Sequence, residues 1–314
     1  MARFVKIASV MMQDMPPRGA ADAHARSLEA LQRHTGELAD LGLDLVVFSE
    51  EVEAVAQPQL DLAEQLDAPG PFLQAYQSFA KAQRCTVAGS VKLREGDKVY
   101  NSIAYIGPDG AILGAYHKTF LTLGELERGL SPGEGAVVVD TPAGRLGGAI
   151  CYDLNFTELA DQYAALRPDI LTFASAYHGG LMQGWWAYRC RAYFVSALHF
   201  HGGGVLNPYG EPLALNDCYT THATATVNLD RVMVHLDYNR DKFLDIRRQY
   251  RDRIDLHIPA NVGSALLTSR ADDLTAMDVV REYELELLDD YFARARAANG
   301  EARGHTLELA PLRA

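Results

Sequence analysis

Short apolar runs alternate with amphipathic stretches along most of the chain. Residues 4–12 read as a strand. Over 20–41, Leu28, Leu31, His34, Leu38 and Leu41 recur at helical spacing and predict a helix. Residues 43–49 form a nearly continuous apolar run, the pattern of a strand covered on both faces. Residues 73–82 read as helix and 85–93 as strand. Strands over 99–106 and 111–118 flank Gly107-Pro108-Asp109-Gly110, a hairpin turn signal. Two more strands, 136–140 and 146–150, surround Thr141-Pro142-Ala143-Gly144. A helix over 156–166, a strand over 170–176 and a helix beginning near 184 follow. A strand beginning at 202, the turn Asn207-Pro208-Tyr209-Gly210 and a strand over 223–229 complete the pattern.

Strands interleaved with helices and hairpins predict an α/β fold with mixed sheets. No linker interrupts the chain up to about residue 240, so 1–240 reads as one domain. Residues 241–314 read as a C-terminal extension that packs on the domain or on a neighbouring subunit. Within it, 276–298 reads as one charged helix whose stripe is Val279, Val280, Tyr283, Leu287 and Tyr291.

The 314 residues carry a formal net charge of −12. That balance disfavours a nucleic-acid partner and an anionic membrane surface. No apolar run is long enough to span a bilayer, and Lys6 breaks the N-terminal apolar stretch, so neither a membrane span nor a signal peptide is expected. The four cysteines, Cys85, Cys151, Cys190 and Cys218, form no CxxC pair, which points to reduced thiols in a cytoplasmic setting. His199 and His201, two apart, would share a strand face and could bind a metal. No third ligand is in register with them, so they read as pocket or core histidines.

Three groups stand just beyond apolar runs: Glu50 after Val46-Val47-Phe48-Ser49, Lys118 after Tyr116-His117, and Cys151 after Gly148-Ala149-Ile150. Ligands of α/β sheets bind at strand ends, so the three can converge. A carboxylate beside a thiol can take its proton and return it to a leaving amine. An ammonium beside both would lower the thiol pKa and stabilise an oxyanion, and a helix N-terminus near Cys151 would favour thiolate. Taken singly, Glu50 reads better as a surface charge in an acidic loop with Glu51 and Glu53. Lys118 reads as a solvated strand end, and Cys151 as a buried core thiol.

The ordered set of segments around these residues resembles the nitrilase superfamily of carbon–nitrogen hydrolases. The resemblance rests on Asp44 to Glu50, Tyr116-His117-Lys118-Thr119-Phe120-Leu121, and Gly148 to Asp153 with Phe156 and Glu158. Tyr100-Asn101-Ser102, Ser131-Pro132-Gly133, Arg191-Ala192 and Asn207-Pro208-Tyr209-Gly210 support it, over about residues 4 to 230. It implies an αββα sandwich and a Glu-Lys-Cys triad: Glu50 as general base and acid, Lys118 as oxyanion stabiliser, Cys151 as nucleophile. The Tyr152 N–H is a second candidate oxyanion donor. An accessory glutamate is also implied, with Glu125 preferred over Glu127. Tyr177 and His178 are the candidate pocket residues.

No metal or cofactor is implied. The partners implied are a small-molecule amide and further copies of the chain, as a homodimer or larger. Tyr152-Asp153 after the cysteine resembles amidase and carbamoyl-hydrolase members, where nitrilases proper commonly have Trp-Glu. Alternatives are nitrile hydrolysis, hydrolysis of N-carbamoyl amides, and a catalytically silent scaffold on the same fold. Two positions depart from the family pattern: Ser49 stands where proline is usual, and Tyr193-Phe194-Val195-Ser196 follow Arg191-Ala192, where glutamate and asparagine are frequent.

Overall fold

The structure is a computed structural model that describes residues 1–16, 20–53 and 60–307. It divides into two compact units. One is Val5–Val227; the other joins Met1–Phe4 to Asn228–Ala314.

In chain order the larger unit runs β1 (Phe4–Val10), α1 (Ala23–Glu37), β2 (Leu45–Val47), α2 (Pro71–Gln83), β3 (Thr86–Glu95), β4 (Lys98–Ile106), β5 (Ile112–His117), α3 (Leu123–Glu127), β6 (Val138–Thr141), β7 (Gly144–Ile150), α4 (Thr157–Leu166), β8 (Ile170–Ser175), α5 (Leu181–Cys190), β9 (Tyr193–Leu198), β10 (Gly204–Leu206), β11 (Pro212–Leu215) and β12 (His222–Asn228). Two six-stranded mixed sheets result, ordered β12-β1-β2-β3-β4-β5 and β11-β10-β9-β8-β7-β6. In each, a parallel centre (β1-β2-β3, β7-β8-β9) is extended by antiparallel strands.

The sheets pack face to face, with α1 and α2 outside one and α4 and α5 outside the other. This is the αββα sandwich expected from the sequence. The central strands are buried on both faces, which explains their near-continuous apolar runs. Phe72, Leu73, Tyr76 and Ala80 of α2 pack with Val46, Phe48 and Val87 of the first sheet.

The two sheets approach closely at Gly148 of β7. A Cβ there would lie 2.7 Å from the Tyr116 ring and 2.8 Å from the Tyr105 hydroxyl, both on the opposite sheet. A hydrogen bond between Tyr105 Oη and Thr172 Oγ1 (2.9 Å) ties the layers at the same level. This close approach brings the end of β5, and with it Lys118, towards the end of β7 and Cys151.

The smaller unit has its own antiparallel sheet and core. It contains β13 (Arg231–His235), α6 (Phe243–Tyr250), β14 (Ile254–His257), β15 (Ser264–Ser269), α7 (Ala276–Glu282) and α8 (Leu288–Arg303), with strand order β13-β15-β14. Val234, Phe243, Ile246, Leu256, Leu267, Val279 and Val280 fill the core.

The single helix expected over 276–298 is two helices. Glu284 takes a left-handed φ of +49°, Leu285 turns into the core, and Leu287 bridges to Val234 of β13. Periodicity missed the break because the linker residues Leu285 and Leu287 continue the apolar stripe of Val279 and Val280 onto the same core. His199 and His201 do not share a strand face, because β9 ends at Leu198 and both lie in the following turn. Among the described residues, no group of three His, Cys, Asp or Glu is placed to hold a metal, and no helix is long and apolar enough to cross a membrane.

Candidate active site

Glu50, Lys118 and Glu125 meet at the strand ends of the first sheet. Lys118 follows β5 and is 1% exposed. Its Nζ lies 3.0 Å from Glu50 Oε1 and 2.9 Å from Glu125 Oε1. Glu50, Glu51 and Glu53 are all buried, so the reading of this stretch as an exposed acidic loop is wrong, as is that of Lys118 as a solvated strand end. Burial opposes the Lys118 charge. Glu50, Cys151 and Glu125 together outweigh it, so the ammonium is held well above the ordinary lysine range.

Glu125 owes its place to local sequence. It is the third residue of α3 and closes a capping box with Thr122: Thr122 N–H and Oγ1 donate to Glu125 Oε2 at 2.8 and 2.9 Å. The other carboxylate oxygen is left for Lys118 and for Asn101 Nδ2 (3.1 Å). Burial raises its pKa, but Lys118, Thr122 and Asn101 outweigh that and hold it below the usual value. Glu127, the rival, is exposed.

Asn101 also donates to Glu50 Oε1 (2.9 Å), and the Ala176 N–H donates to Glu50 Oε2 (2.8 Å). His199 Nε2 donates to the Glu50 carbonyl (2.7 Å). The base candidate is therefore fixed from three sides.

Cys151 begins the short 3₁₀ segment Cys151–Asn155 directly after β7, with a left-handed φ of +49°. That conformation is uncommon for a residue with a Cβ and reports a sharp strand-to-helix turn. Asp153 pins the turn: Ile150 N–H and Tyr116 Oη donate to Oδ2 and Phe120 N–H to Oδ1, each at 2.8 Å. Burial lifts the Asp153 carboxyl to about 7, with those donors and Lys118 working against the rise. Tyr152, whose N–H belongs to the first turn, has a half-exposed ring set edge-on to Phe156. Phe156 stacks on Phe120 at 3.8 Å between centroids. These rings form an apolar wall beside the thiol's turn.

The Cys151 thiol differs from expectation. Burial and the Glu50 carboxylate push it up to about 12, and Lys118 and a Ser175 hydrogen bond offset this only in part. Lys118 lowers the thiol pKa as expected, but the rise from burial and Glu50 outweighs it. Desolvation and a nearby negative charge both penalise the anion, and a short 3₁₀ turn carries little dipole to oppose them.

Tyr177 lies within electrostatic reach of Cys151, and burial first, then the neighbouring Cys151, raises its phenol. His178 is exposed, accepts from the Gly180 N–H (3.1 Å) and faces Phe200; its described contacts do not reach the other candidates. Three contributors had no role assigned from sequence: Asn101, Asp153 and Ser175. Asn101 and Asp153 lie inside segments that carried the family resemblance, which is the signal that could have marked them. Cys85 and Cys190 are buried core thiols, and Cys218 is exposed.

The description "Carbon-nitrogen hydrolase" belongs to the family whose sequence model matches residues 6–203. Omega-amidase NIT2 from Bos taurus is 30% identical over 216 residues, covering 60% of this chain and 73% of the relative. Nit3 from Saccharomyces cerevisiae, a member of branch 10 of the nitrilase superfamily, shares the fold with a TM-score of 0.61 at 21% identity, over 79% of this chain and 95% of Nit3. An amidase from Nesterenkonia sp. does so with a TM-score of 0.61 at 18% identity, over 78% and 96%. Buried Glu50, Lys118 and Glu125 at the strand ends beside Cys151 thus sit in a chain that belongs to the carbon–nitrogen hydrolase family.

Proposed function

We propose that this protein hydrolyses a linear, uncharged or aromatic amide through an acyl-enzyme on Cys151. The observation that carries the reading is the buried Lys118 ammonium, shared by Glu50 and Glu125 within the electrostatic reach of Cys151. Glu50 takes the thiol proton as sulfur attacks the carbonyl carbon, so thiolate forms only as it is consumed. Lys118 Nζ and the Tyr152 N–H donate to the oxyanion. Glu50 then gives its proton to the nitrogen as the C–N bond breaks, leaving a thioester and free ammonia or amine. Water loses a proton to Glu50 and attacks the thioester. The acid departs, and the proton returns to sulfur. Glu125 and Asn101 hold Lys118 and Glu50 in place throughout.

The substrate reading rests on the rings of Tyr152, Phe156 and Phe120 at the turn, and on the stretch from the end of β8, Ser175 to Gly180, that carries no lysine or arginine to grip a carboxylate. The omega-amidases among the relatives favour amide over nitrile.

Ammonia release from a panel of amides, N-carbamoyl compounds and nitriles tests the class. Release from uncharged amides is expected. Release from nitriles alone, or from N-carbamoyl compounds alone, would move the assignment to those reactions. No release from any of them would favour a binding protein on this fold.

A further inference from the structure

A second buried ion cluster lies next to the first. Lys92 interrupts the apolar run of β3 and is 3% exposed. Its Nζ lies 3.2 Å from Glu51 Oε1 and 3.0 Å from Glu53 Oε1, and its backbone N–H also donates to Glu53 Oε1 at 3.0 Å. Burial opposes the Lys92 charge, but Glu53 and Glu51 outweigh it and keep it an ammonium. The proposed mechanism uses none of these three residues.

Their location gives them a task. Lys92 pairs directly with Asn101 in the β3–β4 register, and facing residues of an antiparallel pair project from the same side of a sheet. Asn101 is the amide that holds Glu50 and Glu125. The cluster also grips the chain immediately after Glu50. Glu51 takes a left-handed φ of +48°, and its N–H donates to Ser90 Oγ at 2.9 Å. A left-handed non-glycine residue persists only where its surroundings over-determine it. Here Ser90 fixes its backbone while Lys92 fixes its carboxylate. Glu53, two residues on, is tied to both the side chain and the backbone of Lys92.

We propose that Lys92, Glu51, Glu53 and Ser90 form a positioning cluster that locks the turn after β2 and thereby aims the Glu50 carboxylate at Cys151. The inference rests on the reading of Glu50 as the base for Cys151. It assigns Lys92 no contact with substrate: its effect passes through the backbone of residues 50–53 and through Asn101.

The test is acylation of the full chain by p-nitrophenyl acetate, read as the burst of p-nitrophenolate, with thermal melting recorded for each variant. Removing all three charges together (Lys92→Met with Glu51→Gln and Glu53→Gln) avoids stranding a buried charge. The expected result is acylation slowed by about tenfold or more, the scale of a misplaced catalytic group, in a chain that melts as one cooperative unit. Ser90→Ala, a smaller change, should slow acylation by about twofold or more. In a Glu50→Gln background the triple change should add nothing, because the group it aims is gone. A merely structural cluster would slow both backgrounds alike.

Acylation at the wild-type rate by the folded triple variant overturns the proposal; should that variant fail to fold, the wild-type rate in Ser90→Ala overturns it. An equal loss in the Glu50→Gln background does the same. If Glu50→Gln itself acylates at the wild-type rate, or the wild-type chain gives no burst, the assignment of base and nucleophile falls and takes this inference with it.

Discussion

Cys151 and Cys190 carry thiols pushed up to about 12, burial being the first cause at both. Around them the molecule is built differently. Cys190 ends α5, is 3% exposed, and its Sγ lies 3.5 Å from the Ala160 carbonyl. The charges near it are Arg189, Arg191 and Asp161, and no carboxylate forms a hydrogen bond with it among the causes of its shift. Cys151 stands partly open at a left-handed turn, with the Glu50 carboxylate as the second cause of its rise and Lys118 opposing it. A raised resting pKa therefore does not separate a nucleophile from a core thiol. The separating features are an acceptor for the proton and a cation for the charge that develops next.

That difference can be broken from the cation side first. Lys118→Met should cost about 10²–10³ in turnover by removing an oxyanion donor. It should also cost about 3–5 kcal/mol of stability, because Glu50 and Glu125 are left buried without their counter-ion. Urea unfolding read beside ammonia release gives both numbers. Glu50→Gln keeps the shape and the Asn101 contact but removes the base and sets an amide NH2 against the Ala176 N–H; it should lower turnover by about 10² or more and cost about 1–3 kcal/mol in the melt.

Iodoacetamide followed by peptide mass mapping sharpens the contrast itself. At neutral pH Cys151 should be alkylated about tenfold faster than Cys190, on access alone. The pH profile carries the sign of the shift. A thiol raised by burial and by Glu50 is neutral at rest, so Cys151 alkylation should climb from about pH 6 to about pH 9 without levelling. A plateau near neutrality would reveal a preformed thiolate. The smallest effect is at the turn's anchor: Asp153→Asn turns an acceptor into a donor facing N–H groups, and should cost about 1–3 kcal/mol in the melt.

The strand ends were legible because their signal is local. The apolar run before Glu50, the glycines before Cys151 and the Gly107-Pro108-Asp109-Gly110 turn each announce themselves within a few residues. What joins them is not local. The Ala176 N–H reaches Glu50 across 126 positions and Asn101 reaches it across 51, and neither leaves a periodic trace. The break at Glu284 was hidden because Val279 and Val280 before it and Leu285 and Leu287 after it all pack on one core. The thiol's rise was hidden because dipole and cation arguments read from sequence omit desolvation, the largest cause.

Ammonia release by Cys151→Ala tests the central claim most directly. On the amides that the wild-type chain hydrolyses, the variant should release ammonia no faster than buffer while unfolding as the wild type does. Release at the wild-type rate by the folded variant would contradict the account of Cys151 as the nucleophile.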